Sequence, residues 1–395
     1  MRSPSTGSGE DSSSALFPAD RMGIRPQIAL PVGGLQMYRE SRGQKVMNLE
    51  RVDREQMNGE PISGEPEHDP VMVEEVEALF ASVPPGVVVD ATVGAAGHSA
   101  AILRSRPDLG VLGFDEDVDA LSVAGRLLAE FGGRAVLEYA HFGDIGRLVS
   151  EARAAGRGRW PSTGEDSAGA SGVSGVLFDL GMSSIQLDRP ARGFSFRNEA
   201  PLDMRMDQSR PTSALELVNE AQQGELEELF AANGEVRLAR RLARAIASAR
   251  PLTTTTQLAE VVARSVPAAA RRRGHPARRV FQALRIAVND EADQLSSGLP
   301  QALELLAPAG RCVVISYHSG EDRFVKQTFA EAASGGCKCP PGLPCVCGAE
   351  PRFQLVFRGS RQPSPQEIAR NGRASSAKLR AIYRFPEAPS MAEGA

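Results

Sequence analysis

The hydrophobic pattern divides the chain into three stretches. From about residue 68 to Asp179, short apolar runs alternate with helix-like periodicity. Val71 to Leu79 reads as a helix and Gly86-Val-Val-Val-Asp90 as a buried strand. Gly97 to Arg104 opens a second helix, and Gly110-Val-Leu-Gly-Phe-Asp115 is a second strand. Asp117 to Phe131 carries Leu121, Ala124, Leu127 and Leu128 on one helical face. Arg134 to Tyr139 and Gly175-Val-Leu-Phe-Asp179 complete a set of four strands. Continuous apolar strands separated by helices predict a parallel sheet with right-handed crossovers.

From about Pro211 to Leu303 the pattern is helical, with no strand signal. Gly310-Arg-Cys-Val-Val-Ile-Ser316 is then a buried strand, followed by a helix from Glu321 to Ala332, while Val356 and Leu379 to Tyr383 offer the last strands. The expectation is an α/β domain at 67–210 and 304–385, interrupted by an all-helical domain at 211–303. Residues 1–66 are rich in Ser, Gly, Pro and charge, which predicts a disordered extension, and 386–395 a flexible tail. Gly156 to Ser174 reads as a Gly/Ser-rich surface insertion.

Composition narrows the class. With 42% hydrophobic and 24% charged residues, the chain can build a core unaided. It lacks an apolar signal sequence and any run of ~18 apolar residues, so a cytoplasmic location without membrane association is expected. The net charge of −4 hides an asymmetry: Gly234 to Arg285 holds twelve Arg against two Glu. Arg237, Arg240, Arg241 and Arg244 fall on one helix face, with Arg271, Arg272, Arg273, Arg278 and Arg279 beyond. Planar guanidinium groups in acid-poor surroundings suit phosphate, although charge runs are also ordinary solvated surface.

Three carboxylates sit at predicted strand ends: Asp90, Asp115 and Asp179. Open α/β sheets bind ligands there. The turn Asp90-Ala-Thr-Val-Gly-Ala-Ala-Gly-His-Ser99 is not G-x-G-x-x-G, so a pyrophosphate cradle and a nicotinamide-dependent dehydrogenase are disfavoured. S-adenosylmethionine has no phosphate but two ribose hydroxyls, which Asp115 can accept. Acids and glycines at strand ends are common in any α/β protein, so this pattern alone leaves the ligand open.

Longer strings sharpen the reading. They are His68-Asp-Pro-Val-Met, Asp90-Ala-Thr-Val-Gly-Ala-Ala-Gly-His-Ser, Phe114-Asp-Glu-Asp and Phe178-Asp-Leu-Gly-Met-Ser-Ser-Ile-Gln-Leu. Arg192-Gly-Phe-Ser-Phe-Arg, Pro201-Leu-Asp-Met-Arg-Met-Asp207 and Phe281-Gln-Ala-Leu-Arg-Ile-Ala-Val-Asn289 follow. Ile315-Ser-Tyr-His-Ser-Gly-Glu-Asp-Arg323 and Ser376-Ala-Lys-Leu-Arg380 complete the set. Over about 68–384 the chain resembles the MraW family, the ribosomal RNA small subunit methyltransferase H group. The resemblance implies a Rossmann-like class I methyltransferase sheet with an inserted helical domain. It implies methyl transfer from S-adenosylmethionine to N4 of a cytidine in the decoding region of 16S rRNA, within the small ribosomal subunit. It places cofactor contacts at Ala96, Gly97, His98, Asp115, Phe142, Asp179 and Gln186, and requires no metal.

The chain departs from the family pattern at several points. Ala95 stands where the family usually has Arg, Ala96 where it has Gly, and Asn371-Gly-Arg where it has Asn-Pro-Arg. A backbone contact at Ala96 is expected to survive only at negative φ. After the fourth strand, Asp179-Leu-Gly-Met-Ser-Ser184 replaces the Asp/Asn-Pro-Pro-Tyr segment of many amino-methyltransferases. The acceptor for the amino protons is then Asp179, Ser183 or Ser184. Phe194 and Phe196 are either stacking partners for an everted base or core residues. Asp203 and Asp207 either contact RNA or lock their loop.

Cys337-Lys-Cys339 and Cys345-Val-Cys347 form two C-x-C pairs, which either close a zinc site or remain reduced thiols. Two competing functions stay open: an RNA-binding ribosome-assembly factor with weak or no catalysis, and an amino-methyltransferase on another nucleic acid. Self-association into a homodimer is also left open.

Overall fold

The computed structural model describes residues 70–160, 172–268, 275–340 and 346–386. The expected terminal extensions and most of the Gly/Ser-rich insertion therefore lie outside the described residues, as do Arg271, Arg272, Arg273 and Cys345. Helix α1 (Val73–Phe80) precedes β1 (Gly86–Asp90), α2 (Gly97–Ser105), β2 (Leu109–Asp115) and α3 (Val118–Leu128). β3 (Ala135–Tyr139), α4 (Ile145–Ala154), β4 (Val173–Asp179) and the short α5 (Ser184–Asp188) follow. The sheet closes with β5 (Leu306–Ser316), β6 (Phe353–Leu355) and β7 (Lys378–Arg384). Its seven strands run in the order β3-β2-β1-β4-β5-β7-β6. The first five are parallel, and β7 lies antiparallel between β5 and β6.

Every residue of β1 is buried, and β2 and β4 are buried up to their terminal Asp. Helices cover both faces, which is why these strands read as unbroken apolar runs. On one face Val87, Val89, Phe114, Val176 and Phe178 pack with Ile145, Leu148 and Val149 of α4. On the other, Val88 and Leu177 meet Val76 and Phe80 of α1. Gly175 makes this approach possible, because a Cβ there would stand 2.3 Å from the Phe80 ring. The strand order reverses between β1 and β4, and open α/β sheets bind ligands beyond the carboxyl ends of the strands at such a switch point.

The insert has its own core. Helices α6 (Ala214–Glu220), α7 (Gln223–Phe230), α8 (Ala239–Ser248), α9 (Thr255–Ser265) and α10 (Ala277–Val288) bury Val218, Leu226, Phe230, Leu242, Ile246, Leu258 and Leu284 together. Phe194, Leu202 and Met204 join them. Helix α11 (Glu291–Leu305), which the periodicity groups with the insert, instead packs Leu295, Leu299, Ala302 and Leu303 among the sheet residues. A change of packing partner inside a continuous helical pattern leaves no trace in that pattern. By packing, the helical unit therefore runs from about Phe194 to Val288.

Candidate active site

The first wall is the turn after β1. Asp90 is 2% exposed and accepts 2.6 Å from Ser99 Oγ and 3.3 Å from the Thr92 amide. Burial pushes its carboxyl up to about 6. Asp90 therefore closes the loop from beneath. Ala96 adopts φ 66°, ψ 21°, so the condition of negative φ for a backbone contact there is not met, and its amide instead donates to the Val93 carbonyl at 2.7 Å. The left-handed conformation turns its Cβ into the cluster of Val93, Ala100 and Leu103, where it is fully buried. Such strain costs an L-residue about 1–2 kcal/mol. Helix α2 begins directly after it without a side-chain cap. Its first-turn N–H groups, starting at Gly97 and His98, have no intrahelical acceptors and carry the positive end of the helix dipole. Gly97 sits flush against Pro70, whose Cγ would be 2.9 Å from an added Cβ.

The second wall is Asp115 at the end of β2. Its two oxygens accept from the Gly94 amide at 2.8 Å and the Asp117 amide at 2.9 Å. Each keeps a lone pair for a diol. Burial raises its carboxyl to about 7. These groups fit a charged nucleoside: an acceptor pair for ribose hydroxyls, and an uncapped helix terminus for a carboxylate. Phe142, just beyond β3, lies edge-on to Phe178 with centroids 5.6 Å apart. Helix α11 fixes it there, since a Cβ at Gly298 would stand 2.5 Å from the Phe142 carbonyl oxygen.

Asp179 ends β4 between two other elements. Tyr317 Oη donates to its Oδ1 at 2.8 Å, and Oδ2 lies 3.6 Å from His98 Nδ1. Its side chain is 26% exposed. Burial raises its carboxyl, opposed by His98 and by the Tyr317 hydrogen bond. His98 Nε2 sits 2.9 Å from the Val71 carbonyl, which accepts only from N–H. The second imidazole proton, when present, is therefore on the nitrogen facing Asp179. The backbone amide of Asp179 donates to Thr92 Oγ1 at 2.7 Å, tying the β1 and β4 loops together.

Ser183 and Gln186 are spent on one another. Ser183 caps α5 through a capping box, its amide donating to Gln186 Oε1 at 3.0 Å. Gln186 Nε2 donates to Asp117 Oδ2 at 2.8 Å. The centre of this network had no role in the sequence pattern. Arg192 donates to both Asp117 oxygens, to Asp119, and to the carbonyls of Arg205 and Met206. Arg192 and Asp117 side chains are 5% and 3% exposed. Beside them Glu116 meets His141 Nδ1 at 2.7 Å and Arg210 at 3.1 Å. Asn289 receives the Met206 amide and donates to the Met204 carbonyl. Arg192, Tyr317 and Asn289 all stand inside the long strings, and that was the only signal for them.

Asp203 pairs with Arg205, and Asp207 accepts from the Ser209 amide and hydroxyl, so both lock their loop. Phe194 is 6% exposed in the helical core, which corrects its candidacy as a base-stacking residue. Phe196 stacks on His275, centroids 4.5 Å apart. Arg237, Arg240, Arg241 and Arg244 are all exposed, and no ion pair engages them among the described residues. Among the described residues no helix is long and apolar enough to cross a membrane.

The sheet order with its antiparallel β7 is a Rossmann-like arrangement, and the acidic strand ends around an uncapped turn fit the S-adenosylmethionine-dependent methyltransferases, the class that the family match establishes. Residues 65–385 match the MraW methylase family, and the chain belongs to that family. It is 46% identical over 324 residues to the ribosomal RNA small subunit methyltransferase H of Heliobacterium modesticaldum, covering 80% of this chain and 98% of that one. The protein of the same name from Thermobifida fusca is 44% identical over 330 residues, covering 82% and 94%. Among solved structures, an rRNA methylase from Streptococcus thermophilus is similar at 11% identity and TM-score 0.34, covering 82% of this chain and 99% of that one.

Proposed function

We propose that this enzyme methylates N4 of a cytidine in the decoding region of 16S rRNA, acting on the small ribosomal subunit. The observation that carries the reading is Asp179: a partly exposed carboxylate at the switch point, held by Tyr317, with one oxygen turned toward His98. When bound, the donor supplies an electrophilic methyl on a sulfonium.

The chain's own residues do the rest. Asp115 accepts the ribose hydroxyls, and the first-turn amides of Gly97 and His98 border the amino-acid end. Phe142 lines the base. Gln186 and Ser183 hold the β4–α5 loop at the right height through Asp117. Cytosine N4 is a weak nucleophile because its lone pair is delocalised, so alignment and exclusion of water dominate. As the N–C bond forms, the amino group becomes acidic. Asp179 Oδ2 takes that proton as the bond between methyl and sulfur breaks, while the Tyr317 hydroxyl holds the carboxyl in place through Oδ1. The products are S-adenosylhomocysteine and N4-methylcytidine. Exposed Arg237, Arg241 and Arg244 grip phosphate on one side of the insert, with Arg271, Arg272 and Arg273 assigned to the same role.

The test is mass-spectrometric mapping of small-subunit rRNA from cells with and without this protein. The expected result is one decoding-region cytidine that lacks a base methyl when the protein is absent and regains it on complementation. Unchanged modification would refute the assignment. An assembly factor without catalysis predicts no change in methylation, so the same map separates the two.

A further inference from the structure

The segment joining α12 (Ser319–Ser334) to β6 is held by little apolar packing. Among its described residues from Cys337 to Arg352 none is buried, and Val346 is 89% exposed. Yet the sulfur atoms of Cys337, Cys339 and Cys347 all lie within 4.8 Å of one another. Apolar packing contributes little to that convergence, and three thiols gathered this closely are a candidate metal site.

The spacing fits a shared metal ion. The Cys347 and Cys337 sulfurs are 3.6 Å apart, far beyond the ~2.05 Å of a disulfide. Two thiolates bound to one tetrahedral zinc at ~2.3 Å stand about 3.8 Å apart. The Val346 amide also donates to Cys339 Sγ at 3.3 Å. Backbone N–H···S contacts of this kind spread thiolate charge and orient a metal ligand. Left-handed glycines flank the cluster: Gly335 and Gly336 before it, at φ 61° and 73°, and Gly348 after it, at φ 69°. They allow the chain to reverse tightly enough to bring paired cysteines onto one centre.

We propose that Cys337, Cys339 and Cys347 bind a structural zinc ion that staples this turn between α12 and β6. The site is separate from the methyl-transfer cleft and rests on none of the assignments made there. Three thiolates leave the fourth corner of the tetrahedron to a further donor. The ion does for this segment what a core does elsewhere, because a short loop cannot bury enough apolar surface to fix itself. Thiolates are required, so occupancy falls in acid and under oxidation.

The full chain, purified under reducing conditions without chelator, is expected to carry about one zinc per molecule by plasma mass spectrometry. Cys337→Ser and Cys339→Ser are each expected to lower that content at least tenfold. Cys312→Ser, in the buried strand β5, is expected to retain it. Cobalt(II) added to the metal-stripped chain should give a thiolate-to-metal charge-transfer band in the wild type and in Cys312→Ser, but not in Cys337→Ser. Circular dichroism identifies variants that fold. Refutation would be zinc below a tenth of an equivalent with no cobalt band in the folded wild type, or disulfides at these positions in the freshly isolated protein.

Discussion

Asp179→Asn isolates proton acceptance from shape. The amide is nearly isosteric, and its oxygen can still accept the Tyr317 hydrogen bond at the Oδ1 position. What disappears is basicity at Oδ2, the oxygen 3.6 Å from His98 Nδ1. A positioned general base contributes about two to four powers of ten, or about 3–5.5 kcal/mol of barrier. Single-turnover transfer of labelled methyl to undermethylated small subunits should slow by that factor. The affinity for S-adenosylmethionine, measured by calorimetry, should change less than about threefold, because Asp115 still holds the ribose. A variant transferring methyl within tenfold of wild type would refute the role of Asp179. One whose affinity collapsed would show a binding residue instead.

Three further outcomes follow from the same geometry. Asp115 accepts a diol as carboxylate, and burial holds it near 7. Cofactor affinity should therefore rise from pH 6 to 8 by up to about tenfold per unit below 7, and Asp115→Asn should flatten the profile. In the ligand-free chain the sign is opposite: the stability this acid contributes is complete below its unfolded value of 3.8 and disappears as pH rises through about 7. Arg192→Met leaves the buried Asp117 carboxylate without its cation, which should cost about 3–5 kcal/mol in urea unfolding; a change under 1 kcal/mol would contradict it. Replacing Arg237, Arg241 and Arg244 by Ala should weaken rRNA binding and reduce the salt slope by roughly 0.7–0.9 for each phosphate released, whereas an unchanged slope would mark ordinary surface.

Most of the sheet was legible because burial on both faces leaves an apolar run ending in an acid, as at Asp90, Asp115 and Asp179. Helix α4 stands out less, although Ile145, Leu148, Val149 and Ala152 carry its periodicity. The direction of β7 was not legible, since strand polarity is a property of the chain's return path. Nor were the partners of Arg192, which lies 75 residues from Asp117 in sequence. At Ala96 the sequence argued against left-handed geometry, and packing overrode it by giving the methyl a buried seat. Phe194 was ambiguous between ring stacking and core because both uses select an aromatic.

The most direct measurement is the identity of the methylated atom. Purified protein, labelled S-adenosylmethionine and small subunits lacking the mark are combined, and the rRNA is digested to nucleosides for tandem mass spectrometry. The predicted product is N4-methylcytidine at a single site, formed by wild type and nearly absent with Asp179→Asn. Label on a ring carbon, a ribose hydroxyl or another base would contradict the account.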